Sequence, residues 1–223
     1  MNKMAQEFEN KYVIDVYEEI SKHFDKTRYH SWPYVREFTN TFQPNTKIAD
    51  VGCGNGRNCL LRQDVNYTGF EIVNNFIEIC KQKGINIIKS NILDIKSESN
   101  IFDYTMCIAV IHHLKGKHRR IQAIKELLRI TKPSGRVLIY VWAKEQKKFE
   151  DCKSQDIFVP WSLQKQYKIK EETKSNDEKV FQRYYYLFSK GELESLVIKC
   201  GENVKIIENG SQCNNYYVVL EKQ

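Results

Sequence analysis

The sequence lacks the features that mark disulfide-stapled, zinc-binding or membrane-spanning chains. Its seven cysteines are odd in number and include no CxxC pair, so neither a disulfide framework nor a metal site is expected. No apolar run approaches the roughly 20 residues that cross a bilayer, and the polar N-terminus does not resemble a signal peptide. We therefore expect a protein of a reducing compartment, the cytoplasm with the nucleus as a second choice, that makes no contact with a membrane.

Positive charge is concentrated in one segment. The net charge is +7, and residues 115–136 carry eight basic residues against a single acid, Glu126. The lysine-rich stretch 144–179 looks more basic, but its nine lysines face eight acids. A polyanionic partner is therefore suggested by residues 115–136 alone, although a solvated helix face would give the same pattern.

The hydrophobic pattern predicts one α/β domain over residues 1–223. Residues 1–44 read as N-terminal helices, 45–143 as a core of alternating strands and helices, 144–181 as an insertion, and 182–223 as C-terminal strands with a helix. The alternation implies a mostly parallel seven-stranded sheet with helices on both faces. The expected strands are 47–51, 67–71, 85–89, 102–111, 136–142, 182–188, 204–208 and 216–221, the last two forming an antiparallel pair separated by Asn209-Gly210.

A glycine-rich turn, DVGCGNG at residues 50–56, follows the first core strand, and the segment from Arg57 to Gln63 could start a helix. Glycine is required where a backbone takes positive φ or where a ligand approaches closely. The spacing is GxGxG and not the GxGxxG of dinucleotide enzymes. Asp50, at the strand end, would repel a pyrophosphate but suits a ligand with an ammonium and a sulfonium. The turn therefore points to S-adenosylmethionine.

Polar side chains follow the next strands at the same edge of the sheet, where ligands of open α/β sheets bind. Glu71 ends the second strand and could hold a ribose diol, and Asn91-Ile92 follow the third and could take an adenine. Taken singly, Glu71 could be a surface acid and Asn91 a turn residue. Together they predict a Rossmann-like class I methyltransferase whose cofactor-binding residues are Asp50, Gly52, Gly54, Asn55, Gly56, Glu71, Ile72, Asn91, Ile92, Ile108 and Ala109.

Several blocks resemble the tRNA wobble-uridine carboxymethyl methyltransferases over nearly the whole chain. They are YEEISKHFDKTRYHSWP at 17–33, CIAVIHH at 107–113, LIYVWAKEQ at 138–146, FVPW at 158–161 and RYYYLF at 183–188. Two departures stand out. Asn91 occupies a position where the family usually has aspartate, and Tyr186 replaces a histidine, which puts a catalytic role for that position in doubt.

The resemblance implies methyl transfer to the carboxylate of 5-carboxymethyluridine at the wobble position of tRNA. A carboxylate is already ionised at neutral pH, so the reaction needs positioning groups and no general base. Arg28, His112 and Arg183 are the candidates for orienting the carboxylate. Candidates for stacking the base or holding anticodon-arm phosphates are Trp32, Lys115, Lys117, Arg119, Arg120, Trp142, Trp161 and Tyr184. For any single tryptophan, packing in the core or against a partner is the simpler explanation.

The resemblance also implies a partner, a small zinc-binding methyltransferase activator subunit that would form a heterodimer with this chain. The edge strand from Ile85 to Lys89 is the natural docking place, because an apolar strand edge is a liability unless something covers it. The alternative is that its apolar side chains simply face the core.

Two other functions fit the glycine turn. One is a small-molecule methyltransferase of the quinone-biosynthesis type, which would need no basic segment like residues 115–136. The other is a non-catalytic methyltransferase-fold binding subunit. The presence of Asp50, the three turn glycines and Glu71 argues against it, because a decayed enzyme would lose cofactor binding early.

Overall fold

The computed structural model describes residues 3–163 and 180–223. The helices are α1 (Lys3–Glu9), α2 (Asp15–Thr27), α3 (Pro33–Asn40), α4 (Asn74–Gln82), α5 (Lys117–Ile130) and α6 (Glu192–Cys200). The strands are β1 (Lys47–Val51), β2 (Asn66–Glu71), β3 (Ile87–Lys89), β4 (Phe102–Ile108), β5 (Thr131–Trp142), β6 (Asp156–Ser162), β7 (Val180–Tyr186), β8 (Val204–Gln212) and β9 (Asn215–Lys222).

The main sheet has seven strands in the order β3-β2-β1-β4-β5-β9-β8. The pairs from β3 to β5 are parallel, and β9 runs antiparallel to both β5 and β8. The predicted class I methyltransferase fold, with its C-terminal antiparallel pair, is confirmed. Because the strand order reverses between β1 and β4, a crevice opens there at the carboxyl ends of the strands.

The two faces of the sheet bury alternate residues of each strand, as a pleated strand requires. On one face Met106 packs with Phe38 of α3. On the other face Cys107 packs with Leu127 of α5 and Leu196 of α6. This two-sided core fixes the strand ends that carry the predicted ligand-binding residues.

The N-terminal helices lie over the crevice. A π-helical turn, Asn10–Ile14, joins α1 to α2, and such turns are frequent at functional sites. Beyond it, Tyr17 and Ile20 pack with Phe76 of α4 and with Trp161 of β6. Glu18 accepts hydrogen bonds from the backbone N–H groups of Asn74 and Asn75, so the start of α4 is capped by a side chain of α2.

Several element predictions were wrong in detail. The segment after the glycine turn forms only a short 3-10 helix, Arg57–Leu60. Strand β7 pairs with β6 in a separate two-stranded sheet, so part of the predicted insertion 144–181 is a strand and residues 164–179 lie outside the described residues. The strand predicted over residues 136–142 begins at Thr131, so β5 is longer than expected. No helix in the described ranges is long and apolar enough to cross a bilayer.

The turn between the last two strands lies at Cys213-Asn214 and not at Asn209-Gly210. Both turn residues take positive φ, 49° and 61°, as a two-residue hairpin turn demands. Gly210 lies inside β8, and a Cβ there would come within 2.6 Å of the Tyr217 hydroxyl. The glycine therefore makes room for a ring on the neighbouring strand.

Candidate active site

A cavity of about 640 Å³ opens at the carboxyl ends of β1, β2, β4 and β5, beneath α2 and the β6–β7 hairpin. This volume is within the usual range of small-molecule sites. Most of the predicted cofactor-binding and acceptor residues line it. They are Arg28, Trp32, Gly52, Gly54, Asn55, Glu71, Ile72, Asn91, Ile92, Ile108, Ala109, His112, Trp142, Trp161 and Arg183.

The three glycines of the turn take positive φ but serve different ends. A Cβ on Gly52 would lie 2.5 Å from Val110, and one on Gly56 would lie 2.3 Å from Ile85. A Cβ on Gly54 would meet no atom of the described residues within 4 Å. Gly54 therefore leaves its backbone open to a ligand, whereas Gly56 serves packing and does not line the cavity, contrary to its predicted role.

Asp50 lies behind the turn and also does not line the cavity. Its side chain is 1% exposed, Oδ2 accepts a weak hydrogen bond from the Cys59 thiol at 3.7 Å, and Oδ1 has no hydrogen-bond partner among the described residues. Burial raises the pKa of Asp50 to about 7, while the thiol of Cys59 and the Arg57 guanidinium act in the opposite direction. Its effect on a ligand is therefore electrostatic and is exerted through the turn.

Glu71 joins the end of β2 to the glycine turn. One carboxylate oxygen accepts the Gly54 N–H at 2.8 Å, and the other accepts those of Ile72 and Val73 at 2.8 and 3.0 Å. Burial raises the pKa of this carboxyl. Since a carboxylate offers about four acceptor positions, one remains for a ribose hydroxyl, and a second ribose hydroxyl would have to share a position.

Asn55 and Asn91 differ in what their amides can offer. The Asn55 Nδ2 group donates to Asp25 and to the Arg28 carbonyl, both at 3.0 Å, so it ties the loop after α2 to the turn. Asn55 lines the cavity as predicted for a cofactor-binding residue, although both hydrogens of its amide are used in these two contacts. The Asn91 Oδ1 accepts the Leu93 N–H at 2.9 Å, which leaves the NH₂ group of this cavity-lining residue as its remaining donor.

His112 lines the same cavity as Glu71 and is a neutral hydrogen-bond donor. It is 1% exposed, and burial lowers its pKa well below the usual value. Its Nδ1 accepts a hydrogen bond from the backbone N–H of Trp142 at 3.1 Å, so the proton of the neutral ring is on Nε2. The Nε2 atom has no hydrogen-bond partner among the described residues. His112 can therefore donate one hydrogen bond to a ligand.

Arg183 is a buried cation that no carboxylate neutralises in residues 3–163 and 180–223. It is 6% exposed, its guanidinium carbon lies 4.5 Å from the centre of the Trp161 ring, and Nη1 donates to the Tyr185 hydroxyl at 2.9 Å. A buried charge is costly unless it is paired. Arg183 is thus suited to an anion that arrives with the substrate.

Arg28 approaches the same indole from the solvent side. Its guanidinium carbon lies 5.2 Å from the Trp161 ring, and the side chain is exposed. Trp161 is therefore flanked by two arginines, one buried and one at the rim. This position makes Arg28 a contact for the outer part of a substrate.

The three tryptophans predicted to stack a base line the cavity, whereas Tyr184 does not. Trp142 stacks on Tyr185 with ring centres 4.2 Å apart, and Trp32 stacks on Tyr140 at 5.1 Å. Tyr184 is fully buried, donates to Asp156 and lies outside the lining. Its ring packs edge-on to Phe8, so it cannot stack on a base.

Comparison with known proteins identifies the family. A methyltransferase domain model matches residues 49–139. The tRNA (carboxymethyluridine(34)-5-O)-methyltransferase of Schizosaccharomyces pombe is 39% identical over 98% of this chain and 100% of its own length. The chain belongs to this family. S-adenosylmethionine is its methyl donor.

More distant matches fit the same assignment. The Xenopus tropicalis tRNA (carboxymethyluridine(34)-5-O)-methyltransferase alkbh8 is 31% identical over 98% of this chain, which spans 42% of that protein. Among solved structures, the DhpI–SAM–HEP complex has a TM-score of 0.69, 13% identity and 99% coverage of both chains. A complex of the Haloferax volcanii Trm112 methyltransferase activator with a putative methyltransferase has a TM-score of 0.67, 10% identity and coverages of 94% and 97%. These two structures show the fold alone.

The basic segment of this family member is largely committed to internal contacts, contrary to the prediction of a phosphate-binding face. Arg119 is buried and pairs with Glu9 of α1. Arg120 is buried, donates to the Leu114 carbonyl at 2.9 Å and stacks on Tyr186 at 3.6 Å. Lys115 pairs with Asp156 at 2.8 Å, and none of these three lines the cavity.

Replacing Arg119 by methionine is expected to destabilise the protein by about 3 to 5 kcal/mol, because Glu9 would be left as a buried charge without its partner. The salt dependence of tRNA binding should not change, since a guanidinium held by Glu9 releases no counterions. Urea unfolding and tRNA binding at several salt concentrations measure the two effects. Lys117 is exposed and supplies the control, because Lys117→Met should leave stability unchanged. If Arg119→Met left stability unchanged and reduced the salt dependence of tRNA binding, Arg119 would be a phosphate ligand.

Several residues of the cavity were not among the predicted site residues, and four of them bear on Arg183 or on the cavity wall. Arg57 lines the cavity with its guanidinium 5.2 Å from the Trp32 ring, and Tyr17, His113 and Tyr185 form a buried hydrogen-bonded group beside Arg183. The signal was present for Tyr17, His113 and Tyr185, since all three lie in blocks shared with the family. Tyr186, which replaces a family histidine, lies outside the cavity and donates to Glu192, so its replacement does not alter the lining.

Proposed function

We propose that this chain transfers the methyl group of S-adenosylmethionine to the carboxylate of 5-carboxymethyluridine at the wobble position of tRNA, forming the methyl ester. The observation that carries the proposal is that Arg183 and His112 line the same cavity. A buried cation without a carboxylate partner in the described chain and a neutral donor without an acceptor line one cavity. An anionic acceptor group supplies what both side chains lack.

The residues at the carboxyl ends of β1 to β3 fit the methyl donor. Gly54 leaves room at the turn, Glu71 keeps one acceptor position, and Asn91 keeps its amide donors. The buried carboxyl groups of Asp50 and Glu71 suit a ligand with positive charge. The donor supplies a methyl group made electrophilic by its sulfonium, and the protein has to bind and orient it.

The acceptor requires no general base, and the site supports a reaction without one. Burial lowers the pKa of His112 well below its usual value and that of His113 to about 3, so both rings are poor bases at neutral pH. A uridine carboxylate arrives ionised. Arg183 and the Nε2–H of His112 would orient it in line with the methyl group, and excluding water would strengthen both contacts.

The combination of a single buried arginine with a neutral histidine suits a nucleophilic oxygen. Two or more buried cations would bind the carboxylate more tightly and lower its reactivity. Trp142, Trp32 and Trp161 offer ring faces or edges at the wall for a base that has left the anticodon stack. Arg28 and Lys148, exposed at the rim of the cavity, are the cations best placed for neighbouring phosphates.

We also propose that a small zinc-binding activator subunit docks on β3. The support is its place at the edge of the sheet, where no strand of residues 3–163 or 180–223 pairs with one side of this three-residue strand. Ile87 and Ile88 are half-buried and could contribute apolar contact to a strand added there. The Haloferax volcanii structure supplies a precedent for such an activator on a related fold.

Methyl transfer to tRNA from cells that lack this activity tests the reaction. Labelled S-adenosylmethionine, with and without the activator subunit, should give the methyl ester of 5-carboxymethyluridine in nucleoside mass spectrometry. The same tRNA with an unmodified wobble uridine has no carboxylate and should accept no label. Label in any other nucleoside would replace the proposed substrate, and equal activity of a monodisperse chain without the subunit would overturn the proposed partner.

A further inference from the structure

A chain of hydrogen bonds runs from Arg183 through Tyr185 and Tyr17 to His113. The Arg183 Nη1 donates to the Tyr185 hydroxyl at 2.9 Å, and the Tyr185 and Tyr17 hydroxyls lie 3.1 Å apart. The Tyr17 hydroxyl lies 3.2 Å from the His113 Nε2, and His113 Nδ1 lies 2.8 Å from the Tyr184 carbonyl oxygen. The three linking side chains are buried and belong to α2, to the turn after β4 and to β7.

The Tyr184 carbonyl at the end of the chain fixes the direction of every hydrogen bond in it. A carbonyl can only accept, so the proton of His113 is on Nδ1. Burial keeps the ring neutral by lowering its pKa to about 3, and Nε2 must therefore accept from the Tyr17 hydroxyl. Tyr17 in turn accepts from Tyr185, whose oxygen is left to accept from Arg183.

We propose that Tyr17, His113 and Tyr185 are positioning residues that hold the Arg183 guanidinium toward the substrate carboxylate. The inference rests on the proposed function, because it assumes that Arg183 receives that carboxylate. In the described chain, Arg183 has no acidic partner to orient it. The Tyr185 hydroxyl and the face of Trp161 are the contacts that fix its plane.

Tyr185 links the two groups that would hold the acceptor. Its hydroxyl binds Arg183, and its ring centre lies 5.0 Å from that of His112. The Tyr185 ring also stacks on the side chain of Trp142, and the backbone N–H of Trp142 fixes the tautomer of His112. Tyr17 extends this group to α2, the helix that covers the cavity. Hydrogen bonds that share a hydroxyl polarise each other, so the donation from Tyr185 to Tyr17 strengthens its acceptance from Arg183.

The test compares Tyr17→Phe and Tyr185→Phe with Tyr186→Phe in the full chain with the activator subunit present. Tyr186 is the matched control, because it follows Tyr185 on the same strand and its hydroxyl binds Glu192 outside the cavity. We expect kcat to fall about tenfold in each of the first two variants, with KM for S-adenosylmethionine unchanged. The kcat of the double variant should be close to that of the slower single variant, because both changes break the same chain of hydrogen bonds.

Nitrogen-15 NMR of the His113 ring gives a readout that does not depend on methyl transfer. In the unaltered chain the proton should be on Nδ1 with Nε2 accepting a hydrogen bond. Tyr17→Phe should shift the Nε2 signal toward that of an unbonded nitrogen, and Tyr185→Phe should leave it nearly unchanged.

The outcomes separate the inference from the proposed function. If the unaltered chain leaves 5-carboxymethyluridine unmethylated, the function fails and the positioning role fails with it, even where NMR finds the hydrogen-bond chain. If the unaltered chain is active but Tyr17→Phe and Tyr185→Phe match Tyr186→Phe in kcat, only the positioning role is overturned. Additive losses in the double variant, or a proton on Nε2 of His113, would also overturn it.

Discussion

Arg183→Met is expected to reduce kcat/KM for methyl transfer by about 10²- to 10³-fold, the usual cost of removing one charged group aimed at the reacting atoms. The same change should leave the melting temperature unchanged or raise it by a few degrees. The physical reason is that Arg183 is 6% exposed with no acidic partner in the described chain, so folding bears the cost of burying its charge. Steady-state kinetics on carboxymethylated tRNA and thermal unfolding measure the two effects.

Arg28→Met is the matched control for this prediction. Both arginines contact the face of Trp161, at 5.2 Å for Arg28 and 4.5 Å for Arg183, but Arg28 is exposed. Its loss should weaken tRNA binding modestly, and more so at low salt, without the loss in kcat. If Arg183→Met destabilised the protein strongly while retaining activity, Arg183 would be a structural cation and the carboxylate site would have to lie elsewhere.

Local patterns in the sequence were sufficient for the core of the sheet. Strand β1 was predicted over Lys47–Val51 and has those bounds, because a short apolar run that ends in GxGxG leaves little choice of length. Glu71 was also placed correctly at the end of β2. The pattern could not predict which groups Glu71 binds. Its bond from the Gly54 N–H forms only when β1 and β2 pair, and it adds to those from Ile72 and Val73.

Contacts between distant segments account for the wrong predictions. Arg119 looked like a phosphate ligand because its partner Glu9 is more than a hundred positions away in the sequence. Tyr184 looked available for stacking because its partner Asp156 lies in a strand that was read as an insertion. The group around Arg183 was missed for the same reason, because Tyr17 and Tyr185 meet only when α2 folds over β7.

Asp50→Asn is expected to weaken binding of S-adenosylmethionine by about tenfold or more and, at the same time, to stabilise the unliganded protein above neutral pH. The carboxyl is 1% exposed, and burial raises its pKa to about 7 from 3.8. Its ionised form is therefore disfavoured in the folded state by on the order of 4 kcal/mol. A positively charged ligand would recover part of that cost by attraction to the ionised group, and asparagine cannot do so.

The sign of the pH dependence follows from the raised pKa. Stability contributed by Asp50 is fully present below pH 3.8 and is lost as the pH rises through about 7. The free energy of unfolding of Asp50→Asn should therefore match that of the unaltered protein near pH 4 and exceed it at pH 8. Urea unfolding at both pH values measures this difference. Binding of the ligand near pH 7 should also release a fraction of a proton, which calorimetry in buffers of different ionisation enthalpy detects.

Asp103→Asn provides the control of opposite sign. Asp103 lies on the same sheet, at the start of β4. Its pKa is lowered overall, because the hydrogen bonds from Lys132 and the Lys47 N–H outweigh the opposite effect of burial. Its contribution to stability is present above the unfolded pKa and is lost as the pH falls through the folded one. Asp103→Asn should thus destabilise the protein at pH 8 and leave ligand affinity unchanged. If Asp50→Asn behaved in the same way as Asp103→Asn, Asp50 would be a structural acid, and the positive charge of the cofactor would have to be balanced by Glu71 alone.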